Sequence, residues 1–469
     1  MSSIRWTPAV RASAASSGEF RVVTVPGVVV AAPSSGSGKT CVATGLMGAL
    51  RAAGRTVAPF KVGPDFIDPG YHALATGRPG RNLDPVLVGE DLIGPLYRHG
   101  SLGADIAVIE GVMGLFDGRI DDALVMPPRG STAQVARLLG ATVLLVVDVR
   151  GQSQSIAAVL QGFSTLAPGI RIGGVILNNV GSPRHEQVLR QACDAVGVPV
   201  MGALPRHGAM AVPSRHLGLV TAVEHGAQAA AAVTAMTDLV RAHIDVAAVA
   251  ALARGDVSAP AWSPADAVGE PVAGNPVVAV AGGRAFSFGY AEHTELLSAA
   301  GAQPVVFDPL TDTLPESAAA VVLPGGFPEE HLESLSANTA LREQIRTLAA
   351  RAPVHAECGG LTYLMSDLDG HPMCGVLRGS AQFGPRLTLG YRDAVAAADS
   401  ALHPAGERVT AHEFHRTTVE FAEPVGPAWF MQPSTSEGAI RGGVHASYLH
   451  THPAARPHSV RRFVEQSTL

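Results

Sequence analysis

Short apolar runs alternate with amphipathic stretches along the first half of the chain. The first run, Val28–Ala32, leads into a Gly/Ser-rich turn and then into a helical pattern that continues to about Ala53. Strand, turn and helix in this order open a parallel sheet with βαβ connections. Four further short runs are β-branched or aliphatic and bounded by Gly, Asp or Asn, and they predict buried strands at Thr56–Phe60, Ile106–Ile109, Val143–Val147 and Gly174–Leu177.

The apolar pattern breaks off between the two halves and then resumes. Ala259–Pro276 contains four prolines and no apolar period, so we place a linker at residues 251–274. Beyond it, strand patterns return with helical patterns between them, and β-type segments fill the last third. The predicted strands of this half are Val277–Ala281, Pro304–Phe307, Ala320–Leu323, Pro353–Glu357, Arg408–Thr410, Thr417–Phe421 and Ala439–Tyr448.

The predicted organisation is two α/β domains in series. A flexible extension at residues 1–25 precedes a first domain at 26–250, and a second domain at 275–469 follows the linker. The length of 469 residues, with 47% hydrophobic and 16% charged residues, fits two packed cores.

Charge and cysteine usage exclude several classes of protein. A net charge of −6 without a long basic run disfavours a nucleic-acid partner. The four cysteines are far apart and lack metal-ligand spacing, which indicates a reduced, cytoplasmic protein. No apolar stretch is long enough to cross a membrane, and residues 1–25 lack the apolar run of a secretory signal. The sequence is compatible with a homodimer of this chain.

The turn after the first strand has the residues of a phosphate-binding loop. Glycines let backbone N–H groups close around phosphate oxygens, a lysine reaches the β- and γ-phosphates, and a threonine hydroxyl holds Mg²⁺. One position departs from the general pattern, because Pro33 replaces the first glycine. The predicted ATP-binding residues here are Ser35, Gly36, Ser37, Gly38, Lys39 and Thr40.

Acidic residues follow two of the other predicted strands. Glu110 ends the strand at Ile106–Ile109, and the carboxyl ends of parallel strands are where ligands bind in such sheets. Lys61, Asp65 and Asp68 cluster in a loop after Thr56–Phe60. Beside a phosphate loop, we interpret Thr40, Asp65 and Glu110 as a Mg²⁺ site.

Longer blocks of the first half resemble the cobyrinic acid a,c-diamide synthases, a family that also includes enzymes acting on metal-free hydrogenobyrinic acid. The blocks are FKVGPDFIDPGYH (60–72), TGRPGRNLD (76–84), EGVMGLFDG (110–118), GSTAQVARLLG (130–140) and VVDVRGQSQS (146–155). The resemblance implies that ATP, L-glutamine and a corrinoid polycarboxylate are the substrates. ATP phosphorylates a carboxylate, and ammonia then displaces phosphate to leave an amide. A composition typical of a GC-rich genome favours hydrogenobyrinic acid.

The resemblance also assigns roles to residues of these blocks. It implies that Asp65 and Asp68 handle substrate and metal, and that Asp117 belongs to the phosphorylation site. Lys61 resembles a second phosphate-facing lysine, as in the related dethiobiotin synthetases. Asn178, at the end of a predicted strand, is assigned to adenine contact.

The second half carries a candidate nucleophile, Cys358, in HAECGGL (355–361), between a predicted strand and a helix. Such a turn exposes the thiol, and a helix N-terminus favours the thiolate. The other three cysteines fit buried structural positions: Cys41, Cys193 and Cys374.

The block around Cys358, together with LPGGFPE (323–329), resembles the class I glutamine amidotransferases. The resemblance implies an oxyanion hole formed by the backbone N–H groups of Gly326 and Gly359. It also implies a histidine base near the C-terminus, and we choose His450 over His445 and His452 because Tyr-Leu-His matches the family position. The usual glutamate two residues later is replaced by His452, which leaves the group that orients His450 unnamed.

Three other interpretations compete with this one. A cobyric acid synthase amidates other corrin side chains, but its loops after the phosphate loop differ from KVGPDFIDPGYH. A partitioning-type ATPase carries a lysine where this chain has Ser34, and it lacks a glutaminase half. A catalytically inactive relative would not be expected to keep Lys39, Glu110, Cys358 and His450 together.

Overall fold

A computed structural model describes residues 24–120, 125–206, 214–215, 218–219, 221–431 and 435–468. The predicted N-terminal extension lies almost entirely outside these residues. The described chain forms two α/β units in series, as predicted.

A seven-stranded parallel sheet forms the centre of the first domain. Alternate residues of its middle strand face two different core clusters. Val29 and Ala31 lie in one cluster, and Val28 and Val30 lie in the other, so the sheet is covered on both faces. Every strand predicted for this half is present, with small shifts at the ends. The strands in sheet order are Arg81–Leu83, Val57–Val62, Ile106–Glu110, Gly27–Ala31, Thr142–Asp148, Ile172–Val180 and Val200–Pro205.

Helices cover both faces of this sheet. Lys39–Ala52 packs its apolar residues, Val42 and Leu46 among them, into one of the two clusters together with Ala227–His243. The other described helices of this half are Asp68–Thr76, Pro85–Val88, Glu90–Gly100, Thr132–Leu139, Ile156–Thr165, Pro183–Ala195, Ala222–His225 and Val246–Leu252. A two-residue pairing joins Ser214–Arg215 to Gly218–Leu219.

The second domain has a six-stranded sheet that is parallel except at one edge. The antiparallel edge lies in Ala439–Tyr448, a predicted β-type segment that contains two antiparallel strands joined by a turn at Gly442. Strands in sheet order are Gln303–Phe307, Val277–Ala281, Ala318–Leu323, Val354–Glu357, Val444–Ser447 and Ala439–Arg441. Helices are Pro264–Val268, Ala291–Ala299, Leu332–Ala337, Thr339–Ala349, Gly359–Leu364 and Pro457–Gln466, with 3₁₀ turns at Pro328–Glu330 and Pro453–Ala455.

A long antiparallel pair, Gly379–Ala396 with Arg408–Phe421, dominates a third sheet. The predicted strands Arg408–Thr410 and Thr417–Phe421 are the two ends of one strand. The first member of the pair was not predicted, because few of its side chains are buried and a Gly-Pro pair interrupts it where the register shifts. The remaining strands of this sheet are Asp367–Leu368, His371–Pro372, Trp429–Met431, Thr435–Glu437 and Leu449–His450.

The segment predicted as a linker packs against both halves. It contains the helix Pro264–Val268, and Trp262 and Val268 are buried in a core cluster that reaches both domains. The prolines therefore interrupt the apolar pattern of this segment, although the segment is packed.

Polar contacts join the two domains directly. Arg81 pairs with Glu292 at 2.7 Å and also contacts Glu295. The Tyr391 hydroxyl donates a hydrogen bond to Asp84 Oδ2 at 2.9 Å.

Candidate functional site

The Gly/Ser-rich turn lies between the strand Gly27–Ala31 and the helix Lys39–Ala52, at the carboxyl edge of the first sheet. Gly36 and Gly38 adopt φ angles of 75° and 97°, in the left-handed region that favours glycine. A Cβ on Gly38 would lie 2.4 Å from Nδ2 of Asn178, so the close packing also requires glycine. The loop has the bare, N–H-lined form that accepts phosphate oxygens.

Lys39 and Thr40 begin the helix behind this turn. Lys39 Nζ donates to the carbonyl oxygen of Ser34 at 3.3 Å. Burial, and then the nearby Lys61 ammonium, lower the pKa of Lys39 to about 8, although three carboxylates oppose the shift. A bound phosphate would offset this repulsion, because it places negative charge between the two lysines.

Glu110 is the centre of a buried charge cluster behind the loop. Its carboxylate accepts hydrogen bonds from Thr40 Oγ1 at 2.6 Å and from Lys61 Nζ at 3.1 Å, and it contacts His72 Nε2 at 2.6 Å. Lys61 also pairs with Asp68 at 2.6 Å. Burial opposes ionisation of Glu110, but Lys61 and His72 outweigh it and hold the pKa of Glu110 well below its usual range.

His72 was not among the predicted site residues, although it is fully buried against Glu110. It follows Asp68 by four positions in the helix Asp68–Thr76, so both side chains lie on one face of that helix. The signal in the sequence was a histidine at this spacing inside FKVGPDFIDPGYH.

Asp65, Asp117 and Asn178 each stabilise a loop at this edge of the sheet. Asp65 Oδ1 accepts from the backbone N–H groups of Ile67 and Asp68 at 2.6 and 3.1 Å. Asp117 Oδ2 accepts from Gly114 N at 2.8 Å, and Asn178 Nδ2 donates to the carbonyl oxygen of Ser37 at 2.9 Å. The roles assigned to these three residues in metal binding, phosphorylation and adenine contact stay predictions.

In the second domain, Cys358 lies on a tight turn between the strand Val354–Glu357 and the helix Gly359–Leu364. Its φ of 48° and ψ of −105° are strained for a residue with a side chain. The turn is held by a hydrogen bond from Cys358 N to the carbonyl oxygen of Ser447 at 2.7 Å. The backbone has the geometry expected of a nucleophile between strand and helix, but Cys358 is buried, so the predicted exposure of its thiol is wrong.

The expected thiolate is not favoured at this turn. Burial, and then Glu329, raise the pKa of the Cys358 thiol well above its usual value, and the Gly359 N–H opposes them only in part. The short following helix therefore does not outweigh desolvation and nearby carboxylates. Cys358 needs a base that takes its proton during the reaction.

The two predicted oxyanion glycines lie against each other. A Cβ on Gly359 would come within 3.2 Å of Gly326 N, so no larger residue fits there without movement. A Cβ on the preceding Gly325 would lie 2.5 Å from Cε1 of His450. The loop at 325–326 therefore contacts both the residue after the nucleophile and the predicted base.

His450 is completely buried in the short strand Leu449–His450, which pairs with the strand Arg408–Phe421. Among the described residues, neither of its ring nitrogens has a hydrogen-bond partner of good geometry. Its Nδ1 lies 3.4 Å from Glu357 Oε2, an ion-pair distance.

Glu357 immediately precedes Cys358, and sequence reasoning did not name it. It contacts His450 on one side and His355 Nε2 at 3.3 Å on the other, and it accepts from Thr451 N at 3.3 Å. Burial opposes ionisation, but His355 and His450 hold the pKa of Glu357 well below its usual range. An ionised carboxylate therefore faces the imidazole from a position next to the nucleophile.

The two other histidines that were weighed have different neighbours. His452 Nδ1 accepts from Ala454 N at 3.3 Å, its ring packs on Tyr290 at a centroid distance of 4.2 Å, and burial lowers its pKa to about 4. His445 lies 3.2 Å from the Ser400 hydroxyl, and burial lowers its pKa well below the usual value. Both are buried packing residues, and of the three histidines His450 is the one that lies against the loop at 325–326.

Family models match both domains. The model of the CobQ/CobB/MinD/ParA nucleotide binding domain matches residues 28–220, and that of the CobB/CobQ-like glutamine amidotransferase domain matches residues 277–458. The chain is also 66% identical over 445 residues to the hydrogenobyrinate a,c-diamide synthase of Mycobacterium tuberculosis, covering 94% of this chain and 97% of that protein. This chain belongs to the a,c-diamide synthase family.

Further members of the family extend the similarity. The hydrogenobyrinate a,c-diamide synthase of Streptomyces coelicolor is 54% identical, with 94% of this chain and 97% of that protein covered. The cobyrinate a,c-diamide synthase of Gloeobacter violaceus is 42% identical, with 94% and 96% covered. These findings confirm the resemblance, the fold class and an amide-forming enzyme with nucleotide-binding and glutamine amidotransferase domains.

Among the described residues, no helix combines the length and the apolar character that crossing a membrane requires.

Proposed function

We propose that this protein amidates the a and c acetate side chains of hydrogenobyrinic acid, and that each amide consumes one ATP and one glutamine. The observation that carries the proposal is a strained Cys358 directly after Glu357, whose carboxylate contacts the buried His450, in the same chain as a phosphate loop with a buried Lys39. A carboxylate does not exchange its oxygen for ammonia at neutral pH, so a phosphate site and an ammonia source are both needed.

In the glutaminase half, the Cys358 sulfur attacks the carboxamide carbon of glutamine while His450 takes the thiol proton. The N–H groups of Gly326 and Gly359 stabilise the oxyanion, and His450 returns the proton to the departing ammonia. Water then hydrolyses the thioester to give glutamate and the free thiol. Glu357 orients His450 and stabilises its protonated form, as a triad carboxylate does.

In the synthetase half, a corrin carboxylate oxygen attacks the γ-phosphorus of ATP and ADP leaves. Lys39 and Lys61 neutralise the transferring phosphoryl group, and Asp117 lies in the loop beside it. Ammonia then attacks the acyl carbon and inorganic phosphate leaves. Asp65 and Asp68 orient the carboxylate, and Asn178 contacts adenine while holding the phosphate loop.

Thr40 and Glu110 fit a Mg²⁺ ion. Their hydroxyl and carboxylate oxygens are 2.6 Å apart behind the phosphate loop, and both are hard oxygen ligands of the kind Mg²⁺ prefers. No group of three or more His, Cys, Asp or Glu side chains able to hold a metal exists in the described part of the chain. Two protein ligands, together with phosphate oxygens and water, are a usual ligand set for Mg²⁺. The ion, when bound, would neutralise phosphate charge. Asp65 would join them through Oδ2, because its Oδ1 accepts hydrogen bonds from two backbone N–H groups.

The metal-free corrin is the proposed substrate because the relatives found at 50% identity or more are named hydrogenobyrinate a,c-diamide synthases, whereas both names occur at 41–42% identity. Two such relatives are 66% and 54% identical to this chain, whereas the cobyrinate enzyme of Gloeobacter violaceus is 42% identical. We also propose a cytoplasmic location, where ATP and glutamine are supplied and Cys358 stays reduced. A homodimer stays a prediction that light scattering of the purified chain would check.

The proposal is tested by incubating purified protein with ATP, Mg²⁺ and glutamine, and with either hydrogenobyrinic acid or cobyrinic acid. Mass spectrometry should show a diamide from hydrogenobyrinic acid, and kcat/KM should be higher for it by about 10-fold or more. A higher kcat/KM for cobyrinic acid would overturn the choice of corrin. Absence of an amide from both would overturn the function.

A further inference from the structure

One aromatic residue of the synthetase domain contacts the predicted base of the glutaminase domain. Phe66 lies in the loop between the strand Val57–Val62 and the helix Asp68–Thr76. The centroid of its ring is 5.0 Å from that of His450. Phe66 is not one of the predicted site residues. Two of its neighbours in sequence, Asp65 and Asp68, are.

The second domain forms an aromatic pocket around this ring. Phe66 stacks on Phe288 with a centroid distance of 5.2 Å and an interplanar angle of 11°, and it contacts Tyr290 at 4.8 Å. Phe288 also lies 6.4 Å from His450 and is almost fully buried. The imidazole therefore packs against one ring from its own domain and one from the synthetase domain.

Packing must determine the orientation of His450 to an unusual degree. Neither ring nitrogen has a hydrogen-bond partner of good geometry among the described residues, and the contact with Glu357 is long at 3.4 Å. The Cε1 atom of the ring lies against Gly325, where a Cβ would come within 2.5 Å of it. Removing Phe66 would open space on a ring that few polar contacts hold in place.

The loop that carries Phe66 is firmly attached to the phosphate site. Asn82 Nδ2 donates to the carbonyl oxygens of Gly63 and Asp65, each at 2.7 Å. At the far end of the loop, Asp68 pairs with Lys61, which contacts Glu110. A change at the phosphate cluster can therefore move the ring that packs on His450.

We propose that Phe66 is a positioning residue for His450, supplied by the synthetase domain, so that the glutaminase base is correctly oriented only when the synthetase loop is in place. The inference rests on the proposed glutaminase role of Cys358 and His450. It adds a physical connection through which the state of the phosphate site affects glutamine hydrolysis.

The test compares Phe66→Ala, Phe66→Tyr and Phe163→Ala in the full-length protein. Phe163 is a matched control, because it is also partly buried in the synthetase domain but contacts Phe116 of that same domain at 5.6 Å. Glutamate release from glutamine is measured without corrinoid, and corrin amidation is measured separately with ammonium chloride. Thermal unfolding of each variant verifies that it folds.

Phe66→Ala should lower kcat for glutamine hydrolysis by about 10-fold or more with little change in KM, because a general base contributes about 10²- to 10⁴-fold when well placed. Phe66→Tyr keeps the ring and should restore most of the activity, and Phe163→Ala should resemble wild type. The ammonia-driven rate of Phe66→Ala should fall much less than its glutaminase rate.

Two results would overturn the proposal. One is a wild-type kcat for glutamine hydrolysis in Phe66→Ala, and the other is an equal loss of ammonia-driven and glutamine-driven activity, which would assign Phe66 to the synthetase reaction alone. If the wild-type protein hydrolyses glutamine but amidates neither corrinoid, the proposed function fails while the glutaminase comparison still decides the role of Phe66.

Discussion

At the phosphate site the charged groups are paired with one another, whereas at the glutaminase site the reacting groups have few polar partners. Lys61 and Glu110 are fixed by short contacts with Asp68, Thr40 and His72. Among the described residues, the Cys358 thiol has a long 3.5 Å contact from Sγ to the backbone oxygen of Phe414, and His450 depends on packing and on Glu357. Electrostatics therefore defines the first site, and shape, including a contribution from the other domain, defines the second.

The largest expected effect comes from breaking the paired cluster. Glu110→Ala and Lys39→Ala should each lower amidation by about 10³-fold or more with either glutamine or ammonia, because phosphoryl transfer depends on positioned charges. Glu110→Ala should also destabilise the fold by about 3–5 kcal/mol, since it leaves Lys61 buried without one of its partners.

Amide formation with each nitrogen source and thermal unfolding check this pair. Lys39→Ala serves as the control for stability, because it removes an ammonium group whose charge is already disfavoured by burial. Ammonia-driven turnover near wild type in either variant would contradict the phosphate-site assignment.

The next effect separates the two sites. Cys358→Ser should abolish glutamine-dependent amidation and leave ammonia-dependent amidation near wild type, because only the ammonia supply is lost. Product formation with each nitrogen source measures this. If added ammonia fails to restore activity, the two-site account is wrong.

A smaller effect tests the group that orients His450. Glu357→Gln keeps the shape of the side chain but removes its charge, and it should lower kcat for glutamine hydrolysis by about 10²-fold with little change in KM. The matched control is Glu407→Gln, which removes a carboxylate that also contacts two histidines, His403 and His458, elsewhere in the domain. Equal kcat values of the two variants for glutamine hydrolysis would contradict the role of Glu357 in orienting His450.

The smallest effect is a pH dependence at the phosphate site. The pKa of Lys39 in the folded protein, about 8, is below the ordinary lysine value of 10.5. Below pH 8 Lys39 is protonated in both the folded and the unfolded chain, so burial of its charge destabilises the fold to the full extent there. This destabilisation decreases as pH rises from about 8 to about 10.5, because the folded chain then loses the proton before the unfolded chain does. Phosphate binds the protonated form, so ATP affinity should fall as pH rises through about 8.

Calorimetry of ATP binding at pH 8.5, in two buffers with different ionisation enthalpies, should show proton uptake by the wild type and less uptake by Lys39→Ala. Equal uptake by the two proteins would assign the titration to another group. Lys61 provides a contrast within the site, because Asp68 and Glu110 outweigh its burial and raise its pKa.

The phosphate site was predictable because its parts are contiguous or end successive strands. Residues 35–40 form one loop, and parallel pairing of Gly27–Ala31 with Ile106–Glu110 brings Glu110 to the same edge. His72 was missed because its role depends on the angle at which its helix packs, and local spacing only hints at that.

The glutaminase site was less predictable because strand register assembles it. Glu357 is paired with Ser447 across two parallel strands, and this register brings the residue before the nucleophile to the segment that carries His450. The position two residues after His450, where a glutamate is usual, holds His452 instead. Phe66 was beyond prediction altogether, because its contact with His450 exists only once the two domains have packed together.

The central claim is that a carboxylate activated by ATP at the first site receives ammonia released at the second. Supplying the corrin with ¹⁸O in its acetate carboxylates, together with ATP and glutamine, tests it most directly. The account predicts that one ¹⁸O atom appears in inorganic phosphate for each amide formed, because phosphate leaves with a carboxylate oxygen. Amide formation with unlabelled phosphate, or with AMP and pyrophosphate as products, would contradict it.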